Sequence, residues 1–124
     1  MIDSQSIVGT WKAHLAADPQ QTSIFRILED LRYVSIFEDT HPDAKHQWIP
    51  MRLWGSIEDE SFYRLRPRKN DVGWTRKFHF DGDTLVFQTT NGDFKEWRCT
   101  RIFEDQIPDW FTTRIDSVIN RPWK

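Results

Sequence analysis

Val8-Gly9-Thr10-Trp11-Lys12, near the start of the chain, is one of the two stretches that best indicate its fold. The other is Cys99-Thr100-Arg101-Ile102, near the end. Gly9 permits a backbone kink and a close approach of another chain segment. Trp11 is large enough to plug the base of a barrel, and the guanidinium of Arg101 can lie across the face of an indole. A Gly-x-Trp on the first strand and an arginine on the last strand are what the floor of a closed antiparallel barrel needs. A barrel with a plugged floor and an open mouth can hold a ligand.

Turn-forming residues recur between these two stretches, at Asp18-Pro19, His41-Pro42-Asp43, 70–73, Asp81-Gly82-Asp83 and Asn91-Gly92-Asp93. The segments between them are short and rich in β-branched and aromatic residues, which is typical of an all-β barrel or sandwich. We predict a single domain over residues 1–124. Its eight strands are expected at residues 9–15, 23–29, 33–38, 48–57, 62–66, 74–80, 84–90 and 94–102.

The segment Trp74–Phe80 has the clearest period of two, with Trp74, Phe78 and Phe80 on one face. The turns Asp81-Gly82-Asp83 and Asn91-Gly92 join it to the following two strands, and Asn-Gly is a strong hairpin signal. The last three strands are therefore predicted to form a meander.

The period changes after Pro108-Asp109, which is a typical helix entry. Apolar residues then fall on one face of a helix predicted over residues 109–119: Phe111, Ile115, Val118 and Ile119. Arg121-Pro122 ends it. We expect this short amphipathic helix to pack on the outside of the sheet.

The bulk composition narrows the class of protein. A chain of 124 residues with net charge −2 fits one domain and carries no electrostatic signature of a nucleic-acid partner. Its single cysteine, Cys99, excludes an intrachain disulfide and fits a reducing compartment. The N-terminal residues lack the features of a signal peptide, and no apolar run is long enough to span a membrane. We expect a soluble, cytoplasmic protein without a cofactor, and a homodimer is compatible with the sequence.

Gly9-x-Trp11 on the first of eight strands, Arg101 or Arg98 on the last and a C-terminal helix resemble the lipocalin-like (calycin) barrels. The chain is shorter than the secreted members and lacks their cysteines and signal peptide, so it looks most like a small bacterial lipocalin-like domain. The resemblance implies an eight-stranded up-and-down barrel with a central cavity for a small hydrophobic molecule. It also implies that Gly9, Trp11 and Arg101 are structural residues of the floor.

Arginines in phase with aromatic residues are the candidate ligand contacts. Arg76 shares a strand face with Trp74 and Phe78, and Arg52 shares one with Trp54. If these faces point inward, the guanidinium groups can hold a carboxylate or phosphate bidentately. The predicted ligand-binding set is Trp54, Trp74, Arg76, Phe78, Arg52 and Arg64.

The opposite phase of the fourth and fifth strands is also open. It would place Met51, Leu53 and Ile57 inside the barrel and leave the arginines of these strands in water. Tyr63 and Leu65 favour this alternative for the fifth strand.

Other chemistry-bearing residues give weaker patterns. His41 and His46 lie in one polar segment, but their spacing does not complete a metal site. Cys99 is in a predicted strand without a histidine at a defined offset, as is usual for a small buried hydrophobe. The basic run at residues 64–69 is read as a solvated strand end rather than a nucleic-acid contact.

The sequence therefore predicts non-enzymatic binding of a small, mostly apolar ligand, which could carry an acidic head group. One alternative is a small enzyme at the barrel mouth, with His79 or Glu96 beside Arg76 as an acid–base pair. Another is a protein-interaction module with a filled core.

Overall fold

Each strand pairs with the next one along the chain, and the last pairs back with the first. The computed structural model describes residues 6–38 and 48–123. The strands are β1 (Gly9–Leu15), β2 (Asp18–Ile27), β3 (Tyr33–Glu38), β4 (Trp48–Glu58), β5 (Phe62–Arg66), β6 (Trp74–Asp81), β7 (Thr84–Thr89) and β8 (Glu96–Arg101). A 3-10 turn (Glu104–Gln106) and helix α1 (Asp109–Asn120) follow. The predicted closed, eight-stranded, up-and-down antiparallel barrel is confirmed.

The start of β2 differs from the prediction. The chain turns at Ala16-Ala17, so β2 begins at Asp18 instead of near Ser23. The prediction of a turn at Asp18-Pro19 is therefore wrong. Proline is tolerated at the beginning of a strand, where its missing N–H need not join a ladder. An irregularity in register between His14 and Leu15 accommodates the tight connection.

The end of the barrel at which β1 begins is closed, and we call it the floor. Trp11 is completely buried there, and its indole N–H donates to the carbonyl of Ile7 at 2.8 Å. The guanidinium of Arg101 lies 4.2 Å from the centre of the indole. Two N–H groups of Arg101 donate to the carbonyls of Val8 and Ser6, each at 2.7 Å. These contacts join β8 to the segment that precedes β1.

Gly9 is needed at this position for two reasons. Its φ of +139° lies in a region that residues with a Cβ rarely adopt. A Cβ on Gly9 would also collide with the guanidinium of Arg101. The floor therefore depends on the same three residues, Gly9, Trp11 and Arg101, that carry the sequence pattern.

Helix α1 packs on the outside of the barrel, as predicted. Its buried side chains, Phe111, Ile115 and Val118, form a second apolar cluster with outward-facing residues of β2 and β3. The partners on the strands are Ile24, Val34 and Ile36. At 12 residues α1 is too short to cross a bilayer, and the described part of the chain has no helix suited to that task.

The ladder between β2 and β3 is short. It has three pairs, from Phe25–Ser35 to Ile27–Tyr33, although β2 continues in the other direction to Asp18. In contrast, β3 pairs with β4 along its whole length, from Tyr33 to Glu38. The two strands are thus joined near the floor and unjoined toward the opposite end, which we call the mouth.

Candidate functional site

The inward face of the mouth half encloses a cavity of about 210 Å³, the barrel cavity. Ten side chains from seven strands line it: Ala13, Ser23, Phe25, Tyr33, Ser35, Met51, Arg76, Phe87, Trp97 and Cys99. These residues follow the two-residue alternation of their strands, which places every second side chain inside. Met51 is 41% exposed and Ser23 is also exposed, so the cavity opens on the side where the β2–β3 ladder has ended.

Aromatic rings form most of the apolar wall. Phe25 and Tyr33 are stacked, with ring centroids 5.1 Å apart and an interplanar angle of 26°. The ring of Phe25 meets that of Phe87 nearly edge-on at 6.2 Å, and Phe87 lies 6.2 Å from Phe78. Offset and edge-to-face arrangements at these distances are the favourable ones for aromatic pairs. The wall is therefore preorganised.

Arg76 is the cation of the barrel cavity. Its guanidinium lies 4.7 Å from the ring centre of Trp97, and the residue is partly buried. Within residues 6–38 and 48–123 its guanidinium donates no hydrogen bond and forms no ion pair. Arg64, by comparison, is bound by Glu58 at 2.7 Å, and Arg98 by Asp81 at 3.2 Å. A partly desolvated guanidinium without a partner is a ready site for an anion.

The polar groups around Arg76 are neutral hydrogen-bonding groups. Burial raises the pKa of Tyr33, which the charge of Arg76 and a hydrogen bond with Ser35 partly offset. Burial likewise raises the pKa of Cys99 to about 12, against the opposing charge of Arg76. The phenol and the thiol stay protonated at neutral pH, so neither neutralises the arginine.

Tyr63 lies beneath these groups and is also held neutral, because burial raises its pKa. Its hydroxyl donates to the carbonyl of Leu31 at 2.6 Å. Gly55 makes this contact possible, since a Cβ there would lie 2.7 Å from the Tyr63 ring and would overlap the Leu31 carbonyl. Tyr63 therefore has a structural partner, in contrast to Arg76.

The structure brings two of the six predicted ligand residues into this region. Arg76 lines the barrel cavity, and Phe78 is buried next to Phe87 below it. Trp74 shares their strand face but lies at the mouth end of β6, where it is 36% exposed and does not line the cavity.

The other three predicted ligand residues lie on the outer surface. Arg52 donates to the carbonyls of Val118 and Arg121 at the end of α1, at 3.3 and 3.0 Å. The ring of Trp54 packs on Trp123 at 5.4 Å.

Arg64 donates to Glu58 and to the carbonyl of Val72. The physical reason for these outward positions is the phase of β4 and β5. These strands bury Leu53, Tyr63 and Leu65 inside the barrel, as in the alternative phase.

Among the described residues considered for other chemistry, Cys99 lines the barrel cavity, and His79 and Glu96 do not. His79 is exposed on the outer face of β6, and Glu96 accepts from Gln88 at 2.9 Å and pairs with Arg98 at 3.3 Å. The segment containing His41 and His46 lies outside the described residues. The acid–base pair considered beside Arg76 is therefore not assembled in the part of the chain that the structure describes.

Sequence reasoning missed most of the cavity wall, including Phe25, Tyr33, Ser35, Phe87 and Trp97. Trp97 and Cys99 share the strand phase of Arg101, so their inward direction could have been read from the floor arginine. The positions of Tyr33 and Ser35 depend on the register between β2 and β3, which no local sequence pattern predicts.

Comparisons with known proteins leave the chain without an assigned family. No family model matches it, and neither a curated protein nor a solved structure is similar to it at a significant level.

Proposed function

We propose that this chain is a lipocalin-like binding protein whose barrel cavity holds a small, mostly apolar ligand with a carboxylate or another acidic head group. The observation that carries the proposal is Arg76, a guanidinium inside an aromatic cavity without an acidic partner among the described residues. Leaving such a charge partly desolvated costs free energy, and an anionic ligand would recover it.

The chemistry of the lining supports binding rather than catalysis. Apolar walls with a few convergent polar groups are typical of a ligand pocket. The polar groups here are hydrogen-bond donors or neutral hydroxyls: Arg76, Tyr33, Ser23 and Ser35. These groups can fix the orientation of an anion, and among the described residues the lining supplies no carboxylate or imidazole for proton transfer.

Larger depressions on the outer surface are weaker candidates for a ligand site. One of about 400 Å³ at the floor is lined partly by Trp11, Arg101 and Phe103. Arg101 already donates to Ser6 and Val8 there, so its hydrogen-bonding capacity serves the fold. Another, of about 360 Å³, lies between α1 and the outer faces of β3 and β4.

The test compares acids with neutral amides of the same carbon skeleton, by titration calorimetry at pH 7. An aromatic pair and an aliphatic pair are used: benzoate with benzamide, and octanoate with octanamide. We expect each acid to bind at least tenfold more tightly than its amide, because charge-assisted hydrogen bonds to arginine are the stronger ones.

Arg76→Gln should remove the preference for the acid. Lys77→Gln is the matched control, since it deletes one positive charge from the next, exposed position of the same strand. If neither acid binds, or if Arg76→Gln and Lys77→Gln bind alike, the proposed function is wrong.

A further inference from the structure

The depth of the barrel cavity limits what can enter it. Two residues nearer the floor than the lining residues of the same strands, buried side chains fill the barrel: Trp11, Ile27, Leu53, Phe78 and Leu85. At the floor itself, the ring centres of Trp11 and Phe80 lie 6.2 Å apart. A ligand can therefore occupy the mouth half only, and a long acyl chain would have to leave its remaining methylenes in water.

The volume of the cavity gives a second limit. An apolar protein cavity of about 150 Å³ holds one benzene ring. The barrel cavity of about 210 Å³ exceeds this by about the space that a carboxylate substituent needs. One ring with one acidic group thus fits the available space.

The wall favours a flat ring over a puckered or extended body. On one side the ring of Phe25 lies 5.1 Å from that of Tyr33 and 6.2 Å from that of Phe87, centre to centre. The indole of Trp97, with Arg76 over it, faces the same space. A planar aromatic ligand would gain additional ring–ring contacts, each worth about two- to tenfold in affinity beyond its buried area.

We propose that the ligand class is a planar, one-ring aromatic carboxylate, with its ring against Phe25 and Phe87 and its carboxylate at Arg76. Tyr33 lines the same cavity as Arg76, so its hydroxyl is available as a second donor. This inference rests on the proposed function and specifies the shape of the ligand.

The experiment uses the unmodified protein and varies only the ligand body. Benzoate is compared with cyclohexanecarboxylate, which has the same ring size without planarity. Octanoate is compared with dodecanoate, which has the same head group and a longer chain. We expect benzoate to bind two- to tenfold more tightly than cyclohexanecarboxylate, and dodecanoate to bind no more than about twofold more tightly than octanoate.

Two results would overturn the inference and leave the proposed function standing. One is cyclohexanecarboxylate binding as tightly as benzoate. The other is a steady gain with chain length, about fourfold per methylene if each one is buried. Failure of every carboxylate to bind would instead remove the proposed function itself. Phe87→Leu provides a check from the protein side, since it should reduce the benzoate to cyclohexanecarboxylate ratio toward one.

Discussion

The barrel contains two arginine–tryptophan pairs at opposite ends of its interior, and they have different roles. At the floor, Arg101 lies 4.2 Å from Trp11 and donates to two carbonyls. Toward the mouth, Arg76 lies 4.7 Å from Trp97 and donates to no group among the described residues. The cation–π contact is therefore similar in both pairs, and the two arginines differ in whether their guanidinium N–H groups are already used within the described residues. Those of Arg101 are used, whereas those of Arg76 are available to the ligand that we propose.

The two pairs are expected to differ most in the free energy of unfolding that is lost when the indole is removed. Trp11 is completely buried, so Trp11→Ala should lower the free energy of unfolding by about 3–5 kcal/mol. Trp97 is partly exposed and faces a cavity, so Trp97→Ala should cost only about 1–2 kcal/mol. Urea denaturation of both variants at pH 7 measures the contrast. Equal losses would mean that the mouth half is as closely packed as the floor.

Removing the guanidinium from each pair should give the next largest difference in the free energy of unfolding. Arg101→Gln leaves the carbonyls of Val8 and Ser6 without their charged donor, and we expect a loss of about 2–3 kcal/mol. The guanidinium of Arg76 has no ion pair or hydrogen bond among the described residues, so Arg76→Gln loses only its contact with Trp97 and should change stability by about 1 kcal/mol or less. The same denaturation experiment tests both. A large loss for Arg76→Gln would show that the mouth arginine has a structural role.

Cys99 lies between Trp97 and Arg101 on β8 and makes stability depend on pH. Its pKa rises from 9.0 to about 12 on folding. The folded chain therefore keeps this proton more tightly, and the stabilisation is complete below pH 9 and is lost as the pH rises toward 12. The thiol alone should reduce the free energy of unfolding by about 2 kcal/mol at pH 10.5.

The matched variant for this prediction is Cys99→Ala, studied by urea denaturation from pH 7 to 10.5. Tyr33 and Tyr63 also have raised pKa values, but they are present in both proteins and cancel in the difference. The alkaline loss should be smaller in the variant by the stated amount. Parallel curves for the two proteins would contradict the burial of the thiol.

A small effect on stability, comparable to that of Arg76→Gln, is expected from Tyr33→Phe. This change removes one hydroxyl and its hydrogen bond with Ser35, which is worth about 1 kcal/mol. The ring remains stacked on Phe25, so the aromatic wall persists. Benzoate affinity should fall roughly fivefold if the hydroxyl is a second donor to the carboxylate. Unchanged affinity would leave Arg76 as the only tested anion contact.

The fold was predictable because its signals are local. Turn residues and two-residue alternation gave the number and order of strands, and the period change after Pro108 gave α1. The main error was the turn at Asp18-Pro19, where Pro19 belongs to the start of β2. Proline marks a turn and a strand beginning equally well, so composition could not separate the two.

The candidate site was predictable only where one strand had an unambiguous phase. Alternation in β6 placed Arg76 and Phe78 on the inner face, and the structure has both there. In β4 both faces carry large side chains, since Trp54 and Leu53 are equally suited to a core. Which face of β4 points inward is decided by the packing of Trp54 on Trp123 outside and of Leu53 in the core with Tyr63 inside, and these contacts depend on the tertiary structure.

The contacts of Arg101 also have a consequence for kinetics. Within the described part of the chain, seven of the eight ladders join consecutive strands, and only β1–β8 joins the two ends. Arg101 tightens that junction through Val8 and Ser6, 93 and 95 residues away in sequence. Contacts with such long loop closure form late, after the neighbouring hairpins. The pair of Arg101 and Trp11 should therefore mainly slow unfolding. Its loss should raise the unfolding rate, which shortens the lifetime of the folded barrel, and should hardly change the folding rate.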